Sequence, residues 1–335
     1  MFQIERYDRQ MRVAQIGAAG QERLNKSTVL IVGVGAIGTY AAEIATRMGI
    51  GRLILVDRDF VELSNLQRQT LFTEQDAAHK EAKAWAAAKA LRAINQDIRI
   101  DFLVDDANAT SLLPFVGEVD AVLDCTDNFA TRRFLNRWCL EQNVPWIFAS
   151  CAGTFANVMP IIPGETACLH CLMEKMPLFN ETSCDIIGVH GALIPMLAGL
   201  QVSLLTKLLI GEQHLARYYQ LDNWDMTFQA FHVKRNPDCA VCVHHDYGDT
   251  TFSRQPVLLC GRDTVQFQIG AALDFDALQQ VLVKQQISCN TNRFVLTFSF
   301  DGFDFTVFQN GRVLVHGTDD LVLAKKQYQH FFNEV

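Results

Sequence analysis

Four cysteines stand in two close pairs, Cys168-x-x-Cys171 and Cys239-x-x-Cys242. Two such pairs offer four thiolates, the donor set of a tetrahedral zinc site. They are far apart in the chain, so such a site would tie distant segments together. A closed four-thiolate shell keeps no open position, which makes the expected role structural. A second group of residues fits phosphate chemistry. Gly33-Val-Gly35-Ala36-Ile-Gly38 lets the backbone approach an anion, and a helix N-terminus behind it would favour negative charge. Asp57 follows about 20 residues on, where a carboxylate can hold ribose hydroxyls. This pair of signals does not say which nucleotide is bound; taken alone it favours NAD.

Further residues add to the phosphate reading. Ser64-Asn65-Leu66-Gln67-Arg68-Gln69 is a dense polar cluster, and Asn and Arg grip phosphate oxygens well. The plain alternative is a solvated loop. Lys83, in Lys80-Glu-Ala-Lys83, could reach a polyphosphate, or could be one more solvated lysine. Asp127, in Asp124-Cys-Thr-Asp127-Asn128, could hold Mg2+ bound to ATP. Asp127 or Asn128 could equally cap the next helix. Cys184 sits in a loop-like stretch before an apolar helix, where a thiolate is favoured, although a lone cysteine is more often a packing residue.

These residues need a frame. Thr28–Val32, Arg52–Asp57, Ile98–Val104, Ala121–Asp124 and Trp146–Ala149 read as strands, and Ala36–Met48 and Ala78–Ile94 as helices. Strands alternating with helices predict an α/β fold with a doubly wound, mainly parallel Rossmann-like sheet. Ligands of such sheets lie beyond the strands' carboxyl ends. Residues 1–246 are expected to form this domain and 247–255 a linker. Residues 256–335 are expected to form a small α+β domain, with Asp301-Gly302 and Asn310-Gly311 as hairpin turns.

The chain has 335 residues, ten cysteines and a net charge of −8. That charge speaks against a general nucleic-acid surface. No basic-then-apolar leader opens the sequence, so a cytoplasmic location and mostly reduced cysteines are expected. Residues 186–210 are long and apolar but carry His190, Pro195, Gln201 and Lys207. A buried helix fits them better than a membrane span.

Taken in order, Arg6-Tyr-Asp-Arg9-Gln10, the glycine loop, Asp57, Ser64 to Gln69, Lys83, Cys125-Thr-Asp127-Asn128 and the cysteine pairs resemble the MoeB/ThiF/HesA branch of the ubiquitin-activating superfamily. The resemblance spans about Arg6 to Cys242. It implies ATP-dependent adenylation of the C-terminal carboxylate of a small ubiquitin-like sulfur-carrier protein with a Gly-Gly tail, in molybdopterin or thiamine synthesis. It implies that Gly33, Gly35, Ala36 and Gly38 belong to the cofactor site, with Gly35 and Ala36 under the phosphates, and that Asp57, with Asp59 beside it, holds the ribose. Ser64, Asn65, Leu66, Gln67, Arg68 and Lys83 would line the nucleotide, and Asp127 with Asn128 would take Mg2+. Arg9 would come from the neighbouring subunit of a homodimer. Cys184 would take part in persulfide chemistry with a sulfur donor such as a cysteine desulfurase.

Two positions depart from the family pattern. Ala36 replaces a frequent glycine, with its N–H still present. Lys80-Glu-Ala-Lys83 replaces Gly-x-Pro-Lys, which leaves Lys80 as the alternative to Lys83. Rival readings are an NAD-dependent oxidoreductase, a related tRNA-modifying dehydratase and a non-catalytic scaffold.

Overall fold

The computed structural model describes residues 4–174, 187–212, 215–247, 256–259, 263–269 and 272–332. The chain begins with two helices, α1 (Ile4–Met11) and α2 (Gly17–Lys26). The β-branched run Thr28–Val32 forms β1, and α3 (Ala36–Met48) and β2 (Arg52–Val56) follow. Next come α4 (Glu74–Ala78), α5 (Lys83–Ile94) and β3 (Arg99–Leu103). After them come β4 (Ala121–Asp124), α6 (Phe129–Gln142), β5 (Trp146–Ala152) and β6 (Phe155–Ile161). The first unit continues through α7 (Leu169–Met173), α8 (Leu193–Ile210), β7 (Tyr218–Asp222) and β8 (Thr227–Phe231).

Among the described residues these strands form one eight-stranded sheet in the order β3-β2-β1-β4-β5-β6-β7-β8. The pairs from β3 through β5 are parallel. Those from β5 through β8 are antiparallel. The expected parallel sheet therefore covers five strands, and an antiparallel meander of three extends it. The meander was not read from the sequence. β6 has an apolar run, Val158–Ile161, but Pro160 within it speaks against a strand, and every residue of β8 is exposed.

Helix α8 is the one helix among the described residues long and apolar enough to cross a membrane, and 56% of it is buried within the protein. Its fully buried Gln201 donates from Nε2 to the carbonyls of Asp124 (2.8 Å) and Ile147 (3.0 Å). A lipid-facing helix has no use for such a group. Here it pins the helix to two strands.

The expected helix Ala78–Ile94 is instead two. The chain breaks at Lys80, whose φ is +46°. Ala82 then makes an isolated antiparallel bridge to Phe60. The break is stabilised because the N–H of Lys83 donates to the Asp59 carbonyl at 2.9 Å, which starts α5 at the sheet's carboxyl edge.

Contacts divide the chain into Met1–Asp249 and Thr250–Val335. In the second unit, β9 (Val257–Leu259), β10 (Thr264–Gln268), β11 (Cys289–Thr291), β12 (Val295–Phe300), β13 (Phe303–Phe308) and β14 (Arg312–His316) form an antiparallel sheet. Helices α9 (Phe275–Lys284) and α10 (Leu321–Phe331) supply Leu278, Leu282, Ala324 and Tyr328 to its core. Asp301 and Gly302 turn the β12–β13 hairpin with φ of +51° and +80°, as that dipeptide predicts.

Candidate nucleotide site and four-cysteine centre

The glycine loop leaves the carboxyl end of β1 and runs into α3. Gly33 has φ +87°, and a Cβ there would lie 2.6 Å from the Cys125 carbonyl oxygen. A Cβ on Gly38 would lie 2.0 Å from the Gly33 carbonyl oxygen. These two glycines serve packing of the loop against β4 and α3. Gly35 differs. Among the described residues, only the Gln69 amide nitrogen, at 3.8 Å, stands within 4 Å of its absent Cβ, so the space before it is open. Gly38→Ala should therefore destabilise the protein by more than about 3 kcal/mol. Gly35→Ala should cost little more than about 1 kcal/mol yet abolish MgATP binding. Urea unfolding and titration calorimetry check the two effects separately; equal effects of both substitutions on stability would refute the assignment.

At the end of β2, Asp57 accepts from the Val34 N–H (2.6 Å) and the Asp59 N–H (2.7 Å). Burial lifts its carboxyl above the usual range, with Lys83 the largest counterweight. The Lys83 side chain is buried, and its Nζ lies 3.5 Å from Asp59 Oδ2. Lys80 is exposed. Of the two lysines, Lys83 is the one that the break before α5 brings to the acidic pair. Arg58, between these two acids, was not anticipated. It pairs with Asp106 at 2.7 Å and lies 3.8 Å from Asp59. Burial works against its charge, but these carboxylates and Asp127 outweigh that. Arg58 thus links the loops that follow β2, β3 and β4.

The polar cluster is a short turn closed by a capping box, with Asn65 Oδ1 accepting from the Glu62 N–H at 3.1 Å. That use of the oxygen leaves the Asn65 amide nitrogen as its donor. Arg68 donates to the Ser64 carbonyl at 2.9 Å, and Ser64 and Gln67 are exposed. Leu66 packs against the core beneath, so only its backbone can face a ligand. Gln69 is 4% exposed and its Oε1 has no partner among the described residues. An unpaired buried amide oxygen costs about 1–3 kcal/mol. The sequence reading placed Gln69 in the cluster but not in the site.

The loop after β4 carries Asp127. It is braced by buried Asp124, whose Oδ1 accepts from the Thr126 N–H (3.0 Å) and Oγ1 (2.7 Å). Arg132 lies 3.4 Å from the other carboxylate oxygen and donates to the carbonyls of Thr126 and Ala149. Burial pushes the Asp124 carboxyl up, and Arg132 is the main force against it. The capping question resolves to Asn128, which accepts from the Thr131 N–H at 2.9 Å. Asp127 is left exposed beside it, at the carboxyl edge of the sheet.

Arg9 is not brought to this cluster. Tyr7 anchors α1 against Gly49 at the far end of α3 and accepts a hydrogen bond from Asn95 at the far end of α5. The site lies at the other ends of these helices. A 13-residue α3 puts α1 roughly 20 Å away. Cys184 lies outside the described residues.

The four paired cysteines converge. Their Sγ atoms all lie within 4.8 Å of one another, and each side chain is buried. Three separations are 3.8, 3.8 and 3.7 Å. Metal–sulfur bonds of about 2.3 Å in a tetrahedron give sulfur–sulfur edges of about 3.8 Å. Burial pushes the Cys168 thiol well up, and neighbouring sulfurs push it further. Burial also opposes the Cys171 thiolate, but donors led by the Asn236 N–H outweigh it. Arg235 ties the two segments together through the carbonyls of Gly164 (2.9 Å) and Cys242 (3.0 Å). Four buried thiolates need a cation among them, so the donor set fits a metal ion.

Comparison with known proteins identifies the family. The ThiF family model matches residues 7–241. A sulfur carrier protein ThiS adenylyltransferase from Bacillus subtilis is 34% identical over 330 residues, covering 96% of this chain and 98% of the relative. A molybdopterin-synthase adenylyltransferase from Escherichia coli is 37% identical over 246 residues, covering 71% of this chain and 95% of its own. Among solved structures, E. coli MccB with ATP superposes with a TM-score of 0.60 at 24% identity, over 71% of this chain and 74% of that one; that likeness concerns the fold. The family model covers most of the chain, and relatives more than 30% identical match along it: this protein belongs to the ThiF family.

Proposed function

We propose that this chain uses MgATP to adenylate the C-terminal carboxylate of a small ubiquitin-like sulfur-carrier protein and releases pyrophosphate. The observation that carries the reading is the polar cluster at the carboxyl edge of β1, β2 and β4. At the ends of these neighbouring strands stand Gly35 with its open Cβ position, the Asp57–Asp59–Lys83 group and exposed Asp127. An oxidoreductase needs a dinucleotide but has no use for Lys83 or Asp127.

A carboxylate is a poor electrophile, and an acyl-phosphate oxygen is a good leaving group. The carrier's carboxylate attacks the α-phosphorus, the bond to the pyrophosphate oxygen breaks, and an acyl-adenylate results. Positioning and charge neutralisation do most of the work. Asp57 orients the ribose. The Gly35 and Ala36 N–H groups face the phosphates at the start of α3, where the helix favours anions. Arg68 and Lys83 neutralise charge on the departing pyrophosphate, and Asn65 donates hydrogen bonds to its oxygens. Asp127, with Asn128 beside it, holds Mg2+, which supplies charge neutralisation on the phosphates when bound.

Arg9, too far from its own site, completes the site of a second copy, which makes the working unit a homodimer. Cys168, Cys171, Cys239 and Cys242 hold a structural zinc ion. The β7–β8 hairpin suits a protein substrate. Trp224, Met226 and Phe228 are 73%, 76% and 55% exposed, and β8 is an edge strand with every side chain exposed. Such an apolar edge fits a small β-rich carrier. A thiamine-type carrier is preferred, because the relative matched along nearly the whole chain carries the ThiS name. Cys184 then accepts or relays sulfur delivered by a desulfurase.

The test mixes the protein, MgATP and purified carriers of the ThiS and MoaD types and reads carrier mass. The expected result is a gain of one AMP on the ThiS-type carrier. Mass unchanged on every Gly-Gly carrier, with ATP consumed instead in a parallel reaction that holds tRNA in place of a carrier, would replace this reading with the dehydratase one.

A further inference from the structure

The carboxamide of Gln69 is buried beside the glycine loop and lacks a hydrogen-bond partner on its oxygen among the described residues. We propose that Gln69 is a ligand of the polyphosphate of the bound nucleotide, an inference that rests on the adenylation reading above.

Its place is fixed by the backbone. The Gln69 N–H donates to the Asn65 carbonyl at 3.0 Å. The next residue is tied to α3, with the Thr70 N–H donating to Thr39 Oγ1 at 3.3 Å. Thr39 Oγ1 in turn donates to the Ala36 carbonyl at 3.1 Å. The polar turn and the first turn of α3 therefore move as one piece, and Gln69 stands at their junction. Its amide nitrogen is the one described atom within 4 Å of the Cβ position of Gly35, at 3.8 Å. The carboxamide thus forms the edge of the open space before that glycine.

The chemistry follows from the group's two ends. A polyphosphate at pH 7 presents acceptors, so the NH2 end turns to it. The oxygen end then takes a hydrogen bond from a water that the metal-bound nucleotide carries in. An amide can exchange its two ends by a half-turn, so this holds whichever end faces Gly35 before binding. Were Gln69 a packing residue, a thioether of the same length would fill the volume without stranding a polar atom. Were it a structural brace, its oxygen would be paired within the fold, as that of Gln201 is with the Cys125 thiol at 3.4 Å.

These alternatives predict opposite signs. Gln69→Met in the full chain is expected to unfold at the same urea concentration as the parent or a higher one, since no amide is left stranded. It is expected to bind MgATP and inorganic tripolyphosphate about 10- to 100-fold more weakly by calorimetry, with adenosine binding unchanged. Gln69→Glu, which sets a negative charge against the phosphates, is expected to bind both more weakly still. A Gln69→Met protein that binds tripolyphosphate like the parent overturns this proposal and leaves the adenylation reading in place. So does one that loses stability and affinity for all three probes together, the mark of a brace. A parent chain that binds none of the three overturns both.

Discussion

Replacing Cys171 by Ser should lower the zinc content well below one ion per chain and destabilise the first unit by at least about 5 kcal/mol. Cys171 stands 3.8 Å from Cys168 and 3.7 Å from Cys242, so its loss opens the shell on two edges. Structural zinc supplies on the order of 10 kcal/mol or more in small zinc-binding peptides. Here the ion would join the start of α7 to the segment that follows β8, with Arg235 and the Asn236–Glu174 hydrogen bond among the remaining ties. Without the metal, the buried sulfurs cannot all be thiolates, and the segments lose their common anchor. Elemental analysis with urea unfolding checks both parts. A variant with the parent's metal content and the parent's midpoint would remove the cysteines from the zinc assignment.

Asp127→Ala should reduce carrier-dependent ATP–pyrophosphate exchange by about 10²–10³-fold while changing stability by less than about 0.5 kcal/mol. The small second effect follows from the structure: Asn128, not Asp127, caps α6, and Asp127 is exposed. Asp124→Ala provides the contrast. It strands the buried Arg132 guanidinium, which sits between the rings of Phe129 and Phe148 at 5.1 and 5.3 Å, and should cost about 3–5 kcal/mol. The two acids lie three positions apart, yet one is buried and supports the loop while the other is exposed. Normal exchange in the Asp127 variant, with its zinc retained, would exclude that carboxylate from the reaction.

The relatives divide at the second unit. The Bacillus protein is matched along nearly all of both chains, whereas the E. coli molybdopterin-synthase enzyme, matched over 95% of its own length, has no room for a counterpart of Thr250–Val335. The residues assigned here to nucleotide and metal all precede that unit.

The sequence by itself determined the parallel half of the sheet, because β-branched runs followed by glycine or a carboxylate have few other solutions. Thr28–Val32 and Ala36–Met48 fall where the residues alone put them. It also determined the four-sulfur group, since paired spacing fixes two ligands on each of two turns. Tertiary structure alone decided the rest. The choice of Lys83 over Lys80 depends on a left-handed residue and an isolated bridge to Phe60, long-range features that helix propensity cannot encode. The meander gives a weak signal, because Pro160 interrupts the apolar run of β6 and β8 is exposed throughout. Arg58 and Gln69 gain their meaning from what lies across space: carboxylates on other loops for one, an unfilled glycine for the other. A side chain's chemistry is written in its own residue, but whether it is paired, buried or left open depends on neighbours that only folding brings near.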